Sequence, residues 1–112
     1  MKIIKTNIDN LAEDKRTFYK LTKARGVNVK DLDADSEHPV NAFLLYEGEN
    51  NKGELQTVLT IISGDLKMQT ISKTFISAFL EIVDLMGDDE YAIRIIKSTT
   101  KAGREFVTCE LA

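Results

Sequence analysis

Between Val40 and Leu111 the hydrophobic pattern changes character twice, and this change constrains the fold more than any other feature of the chain. The runs Val40-Asn41-Ala42-Phe43-Leu44-Leu45-Tyr46 and Leu55–Ile62 are rich in β-branched and large apolar residues, which favours strands. Pro39 stands at the start of the first run, where a missing N–H is tolerated. Glu47 to Gly53 reads as a polar loop, and Gly64-Asp65 as a tight reversal into a short strand over Leu66–Ile71. The period then becomes helical over 73–86. Phe75, Phe79, Ile82, Val83 and Met86 recur at 3.6-residue spacing, behind Ser72 as an N-cap and ahead of Gly87 as a stop. Two further strands, Tyr91–Ser98 and Glu105–Leu111, flank a loop over 99–104. The expected protein is mainly β with one or two helices, in the order β-β-β-α-β-β. That is the order of a five-stranded OB-like barrel, which binds oligonucleotides on one face and two loops. The same order also suits an open α+β sheet with one covering helix.

Ahead of this pattern, residues 10–25 read as a basic helix. Asn10 is placed to cap it with Glu13 three residues on, Lys and Arg fill its last turns, and Gly26 stops it. Its apolar content is modest (Leu11, Phe18, Tyr19 and Leu21), which predicts packing at the edge of the domain or partial mobility. The run Asp31-Leu32-Asp33-Ala34-Asp35-Ser36-Glu37 forms an acidic turn before Pro39. The expected division is therefore an N-terminal helical extension with its acidic turn over 1–37, and the OB-like domain over 38–112.

At 112 residues the chain is long enough for one domain with one core. No apolar run reaches the length of a membrane span, and the polar start Met1-Lys2-Ile3-Ile4-Lys5 does not read as a secretory signal. Cys109 is the only cysteine, which excludes an internal disulfide and points to the cytoplasm. The net charge of −3 argues at first sight against nucleic acid. Its distribution leaves two readings open, an ordinary solvated surface of mixed sign, which charge alone favours, and a local basic site. Residues 1–30 carry eight basic and three acidic residues, whereas residues 31–56 carry seven acidic and one basic. The stretch 91–104 holds Arg94, Lys97, Lys101 and Arg104 with no acid at all. Such asymmetry builds local positive fields on an acidic protein.

A search for catalytic chemistry finds little. The one histidine, His38, sits beside Pro39 in the acidic turn, where a surface position is expected. Cys109 alternates with its neighbours in the last strand and reads as a packed thiol. Asp88-Asp89-Glu90 lacks the glycine and ligand spacing of a calcium loop, and no phosphate-cradling glycine loop is present. No catalytic residue, metal or cofactor is expected, so the protein is read as a non-enzyme.

The search for binding chemistry gives more. Single-stranded nucleic acid needs a basic groove for its backbone and aromatic faces for its bases. Lys97, Lys101 and Arg104 flank the loop between the last two strands, and Lys52 lies in the first-to-second-strand loop among Glu47, Glu49 and Glu54. Lys67 and Gln69 fall on one face of the third strand. Ser72, Lys73 and Thr74 stand at a helix N-terminus, where they either cap the helix or favour an anion. Among the aromatics, alternation puts Tyr46 and Phe43 on opposite faces, which makes Tyr46 the candidate to face outward and stack a base, with Tyr91 a similar candidate at a strand start; the equal alternative for each is a ring that rims the core.

The C-terminal half resembles a known family through Ser63-Gly64-Asp65-Leu66, Ile71-Ser72-Lys73-Thr74, Ile82-Val83-Asp84-Leu85, Ile93-Arg94-Ile95-Ile96-Lys97, Ser98-Thr99-Thr100-Lys101-Ala102-Gly103 and the closing Phe106–Leu111. These motifs are similar to those of the single-stranded DNA-binding proteins of small Bacillus phages that replicate by protein priming. Lys30-Asp31-Leu32, Val40-Asn41-Ala42 and Thr57-Val58-Leu59-Thr60 fall in the same order upstream, so the resemblance spans 30–112. The basic N-terminal helix does not match the family's start, and Arg104 behind Gly103 departs from its loop. The resemblance implies a small OB-like protein that coats displaced strands during phage DNA replication without sequence preference, with Tyr46 as the mid-strand tyrosine that stacks bases. The expected partners are single-stranded DNA, further copies of the chain along the strand, and replication proteins, with no membrane. A phage-encoded interaction module that docks a host factor through an edge strand or the basic helix is the alternative.

Overall fold

The computed structural model describes residues 1–24 and 26–112. Arg25, expected as the last residue of the N-terminal helix, lies outside them. The described residues form a mainly β protein with two helices. In chain order these are β1 (Lys2–Thr6), α1 (Lys15–Thr22), β2 (Val27–Asn28), β3 (Glu37–Pro39), β4 (Ala42–Glu49), β5 (Leu55–Ser63), β6 (Leu66–Thr70), α2 (Lys73–Met86), β7 (Ala92–Thr99) and β8 (Glu105–Leu111). Short 3-10 turns at Leu11–Glu13 and Val29–Asp31 complete the chain.

Two sheets result, one ordered β1-β4-β5-β6-β2 and the other β3-β7-β8. The antiparallel β4-β5-β6 meander and the β7-β8 hairpin follow the apolar runs of the sequence. The sheets meet where β3 bends into β4. Val40 N donates to Tyr91 O at 3.0 Å, and Asn41 N donates to Ile62 O at 2.9 Å, so consecutive residues bond into different sheets. Two asparagines fix this corner from the side: Asn41 Oδ1 accepts from Gly64 N at 2.6 Å, and Asn7 Oδ1 accepts from Phe43 N at 2.8 Å.

A closed five-stranded barrel does not form. Closure would need a ladder between β6 and β8, and among the described residues there is none. The free edge of β6 is instead taken by β2, in parallel register with Val27 opposite Met68 and Asn28 opposite Gln69. The turn Val29–Asp31 that follows touches both β6 and β8 and fills the seam.

The main core lies between the inner face of the first sheet and the layer formed by α2 and the second sheet. Phe43, Leu45, Leu59, Ile61 and Met68 meet Phe75, Ile76, Phe79, Ile82 and Val83 of α2, with Ile93, Ile95 and Cys109 from the second sheet. Phe43 and Phe79 pack edge to face with centroids 5.3 Å apart. Each such large side chain contributes about 1.5–3 kcal/mol by burial. Ser72 caps α2 as expected, its Oγ accepting from Phe75 N.

A smaller core covers the outer face of the first sheet, where Leu44, Tyr46 and Val58 meet Leu11 and Leu21. The first 37 residues, expected as an extension, thus supply an edge strand and a covering helix to the sheet itself, and Glu37 already belongs to β3. Strand β1 leaves little trace in the sequence pattern because it is short and carries Lys2 and Lys5; it pairs antiparallel with β4 across a bulge between Ile3 and Lys5. The cap of the N-terminal helix also differs from expectation. Asn10 sits in the left-handed region at φ 56° without a capping bond. Asp14 caps α1, accepting from Thr17 N at 3.1 Å and Thr17 Oγ1 at 2.8 Å. These bonds hold its carboxyl below the usual aspartate range.

Candidate nucleic-acid interface

The outer face of β4–β6 was the expected base-stacking surface, and α1 occupies it. A helix leaves its last carbonyls without partners inside the helix. Here side chains from the sheet satisfy them. Thr60 Oγ1 donates to Leu21 O at 3.1 Å, and Tyr46 Oη donates to Thr22 O at 3.3 Å. Lys67 Nζ donates to both Lys20 O and Ala24 O, placing a cation at the negative end of the helix dipole. Desolvation pulls the Lys67 ammonium below the ordinary lysine range. Gln69 Nε2 donates to Thr60 Oγ1, and its side chain lies where a Cβ on residue 26 would meet it at 3.0 Å. Gly26 is therefore the close-approach position behind the helix.

Three of the nine expected DNA-binding residues are thus turned to internal work. Tyr46 faces outward from the main core as alternation predicts, but it is 6% exposed beneath α1 and offers no ring face to a base. Lys67 and Gln69 share that face and are spent on α1 and Thr60. Tyr91 is also corrected: it packs half-buried against the main core, with its hydroxyl buried and without a hydrogen-bond partner among the described residues. Burial raises its pKa, and the nearby Cys109 thiol adds to the shift.

The other five expected residues are exposed. Lys97, Lys101 and Arg104 lie on the distal half of the β7–β8 hairpin, where none makes a salt bridge among the described residues. Arg94, grouped with them by sequence, is neutralised: it bridges Glu37 at 2.7 Å and Glu110 at 3.2 Å across adjacent strands. Those two carboxylates raise its pKa. The acidic segment explains the pairing, because it runs beside β7, with Asp35 N donating to Ile95 O and Ile95 N donating to Ser36 O. Past Ile95 the backbone pairing with this segment ends, and Asp31 is the one acid of it that stays beside the hairpin. Lys97 and Lys30 then face a groove of about 520 Å³ lined also by Asp31, Thr99, Glu105 and Val107.

Lys52 lies in a turn built like the one that carries Lys101. In both, the first residue's N–H donates to the fifth residue's carbonyl, with Asn50 to Glu54 at 2.9 Å and Thr100 to Arg104 at 2.8 Å. The side-chain oxygen of that first residue accepts from the N–H of the fifth. Each turn has glycine fourth, at φ +76° for Gly53 and +83° for Gly103, where another residue would be strained. Their charges along the chain differ: Glu47, Glu49 and Glu54 neighbour Lys52, whereas Lys97, Arg104 and the single acid Glu105 neighbour Lys101. Lys73 opens α2 beside an apolar groove of about 550 Å³ formed with Leu55, Ile71, Ile76 and Leu80.

Residues considered for catalysis are accounted for structurally. Burial pushes the Cys109 thiol up to about 12, so it stays protonated. His38 lies in β3 rather than a surface loop, with Nε2 at 2.8 Å from Ser36 Oγ. Ser36 Oγ donates its own proton to Asp33 O at 2.6 Å, so the imidazole donates to the hydroxyl, the reverse of a base activating a nucleophile. No cluster of metal-ligating side chains occurs among the described residues, and no helix of theirs is long and apolar enough to cross a membrane.

Sequence reasoning missed one feature of this surface. Tyr19 on α1 is 63% exposed and is the only exposed aromatic among the described residues. The signal was present, since Leu21 and Tyr19 cannot both face the sheet from one helix. Comparison of the chain with protein-family models, with curated proteins and with solved structures finds no match.

Proposed function

We propose that the protein binds single-stranded DNA without sequence preference and coats displaced strands during phage DNA replication. The observation that carries this reading is the distal β7–β8 hairpin, a two-stranded support that projects the exposed Lys97, Lys101 and Arg104, none of them in a salt bridge among the described residues. The connectivity supports it. A bent strand shared by two sheets, a meander, a helix and a closing hairpin are the parts of an OB-like fold, here with the seam between β6 and β8 filled by the turn at 29–31. The hairpin turn is then the loop between the fourth and fifth barrel strands, one of the two such loops that hold oligonucleotides. Phosphates are met by the three hairpin cations, with Lys30 facing Lys97 across a groove that also holds Asp31 and Glu105. Neither Tyr46 nor Tyr91 stacks a base in this arrangement.

Fluorescence anisotropy of a labelled oligo-dT, titrated with the protein at low and moderate salt, tests the reading. Binding that weakens steeply with salt is expected, with log K falling against log salt by about 0.7 for every phosphate the protein neutralises. Combined Lys97→Ala, Lys101→Ala and Arg104→Ala should remove most of that slope while the fold persists by circular dichroism. Absence of binding by the unaltered protein at micromolar concentration overturns the proposal. The interaction-module reading draws on the apolar groove of Leu55, Ile71, Ile76 and Leu80. A protein that ignores oligo-dT leaves that alternative standing.

A further inference from the structure

We infer that the outward face of α1 is a second contact surface for single-stranded DNA, with Tyr19 as a base-stacking platform ringed by cations. This rests on the proposed function and places part of the site on an element outside the hairpin and outside the sheet face. Leu21 is buried against the sheet, which turns the opposite side of the helix to solvent. On that side Lys15 precedes Tyr19 by four residues, Arg16 precedes it by three, and Lys23 follows it by four. Residues at these spacings are neighbours on a helix surface. Lys15, Arg16, Lys20 and Lys23 are all exposed, and none makes a salt bridge among the described residues. The helix contains no acidic residue.

Folding accounts for only part of this arrangement, since Lys20 and Lys23 suit the negative end of the helix dipole. Lys15 and Arg16 occupy the first turn, where the helix dipole disfavours cations and the usual choice is an acid. Tyr19 is exposed where every other aromatic side chain is buried or half-buried. A base has a π-face for the ring, and the phosphates on either side meet ammonium and guanidinium groups, which is the pairing that sequence-tolerant single-strand binders use. The platform is also rigid before any ligand arrives. Asp14 fixes the first turn of α1, while Thr60, Tyr46 and Lys67 hold its last carbonyls. Little ordering cost is then left for binding.

The test is oligo-dT anisotropy on the full chain, comparing the unaltered protein with Tyr19→Ala and with a combined Lys15→Gln, Arg16→Gln and Lys23→Gln variant. Tyr19→Ala should weaken binding about tenfold with the salt slope unchanged, as removal of one stacked base does. The triple variant should lower the slope by about 0.7 for each phosphate no longer neutralised. Photo-crosslinking of a bromouracil oligonucleotide to the unaltered protein should map to Tyr19. Should the unaltered protein bind while both variants match it and the crosslink falls outside 15–23, the inference is overturned and the hairpin reading survives. Should the unaltered protein fail to bind, both fall. Equal affinity for a duplex of the same length also overturns it, because a paired base offers no face to Tyr19.

Discussion

The two helices sit on opposite faces of the same sheet and are fixed to it by different means. Helix α2 buries Phe75, Ile76, Phe79, Ile82 and Val83 in the main core, and its attachment is written along its own sequence as an apolar stripe. Helix α1 buries Leu21 and half-buries Phe18 against the smaller core, and the sheet reaches up to it through Thr60, Tyr46 and Lys67. One attachment is hydrophobic and is carried by the helix. The other adds polar bonds from the partner surface to a small apolar contact. The consequence is a molecule in which the anchoring of α2 depends on packing volume, whereas that of α1 depends on two apolar side chains, a few donors and the charge of one lysine.

The comparison can be broken most severely at the α2 side. Phe79→Ala removes a fully buried ring that packs on Phe43 and should destabilise the whole protein by about 3–5 kcal/mol. Chemical denaturation should show this as a lowered midpoint for both sheets together. A loss confined to one helix would mean that α2 is not the shared core element. Lys67→Met keeps the alkyl stem and deletes the ammonium that serves Lys20 O and Ala24 O. Hydrogen bonds to charged groups are worth about 1.5–3 kcal/mol, and here the loss should fall on α1. Amide exchange should accelerate over 18–24 and remain slow over 75–83. Uniform acceleration would show that the two attachments are not independent.

The smallest expected effect concerns pH. The carboxyl of Asp14 is held below its ordinary range by the Thr17 N–H and hydroxyl, so its contribution is present above the unfolded-state pKa. That contribution is lost as pH falls through the lower folded-state value. Acid titration followed by amide exchange should therefore fray the first turn of α1, at Lys15–Thr17, before any change in α2, whose cap is the neutral Ser72 hydroxyl. Simultaneous fraying of both helices would contradict it.

The same contrast explains what could be read from the chain. The span of α2, its Ser72 cap and its Gly87 stop were legible because burial imposes a period on the residues that do the burying. The outward direction of Tyr46 was legible for the same reason, since strand alternation separates it from Phe43. Its cover was not. A helix docked by its carbonyls leaves its signature on Thr60, Tyr46 and Lys67, dispersed across three strands, where each looks like an ordinary surface residue. Lys67 and Gln69 were placed on the correct face and given the wrong partner. The closed barrel was over-read because nothing in Gly26-Val27-Asn28 announces a strand, yet Val27 and Asn28 take the free edge of β6. Arg94 looked free because its two carboxylate partners, Glu37 and Glu110, are distant in sequence and become neighbours only through strand pairing.

The contacts that hold the end of α1 accept through peptide carbonyls, which every residue type possesses. Apart from Phe18, Leu21 and the glycine at 26, the docking is blind to which side chains the helix displays. Its outward positions 15, 16, 19, 20 and 23 are therefore free to drift without cost to the fold. Substitution can rewrite what this face presents to solvent while the scaffold beneath it stays constant.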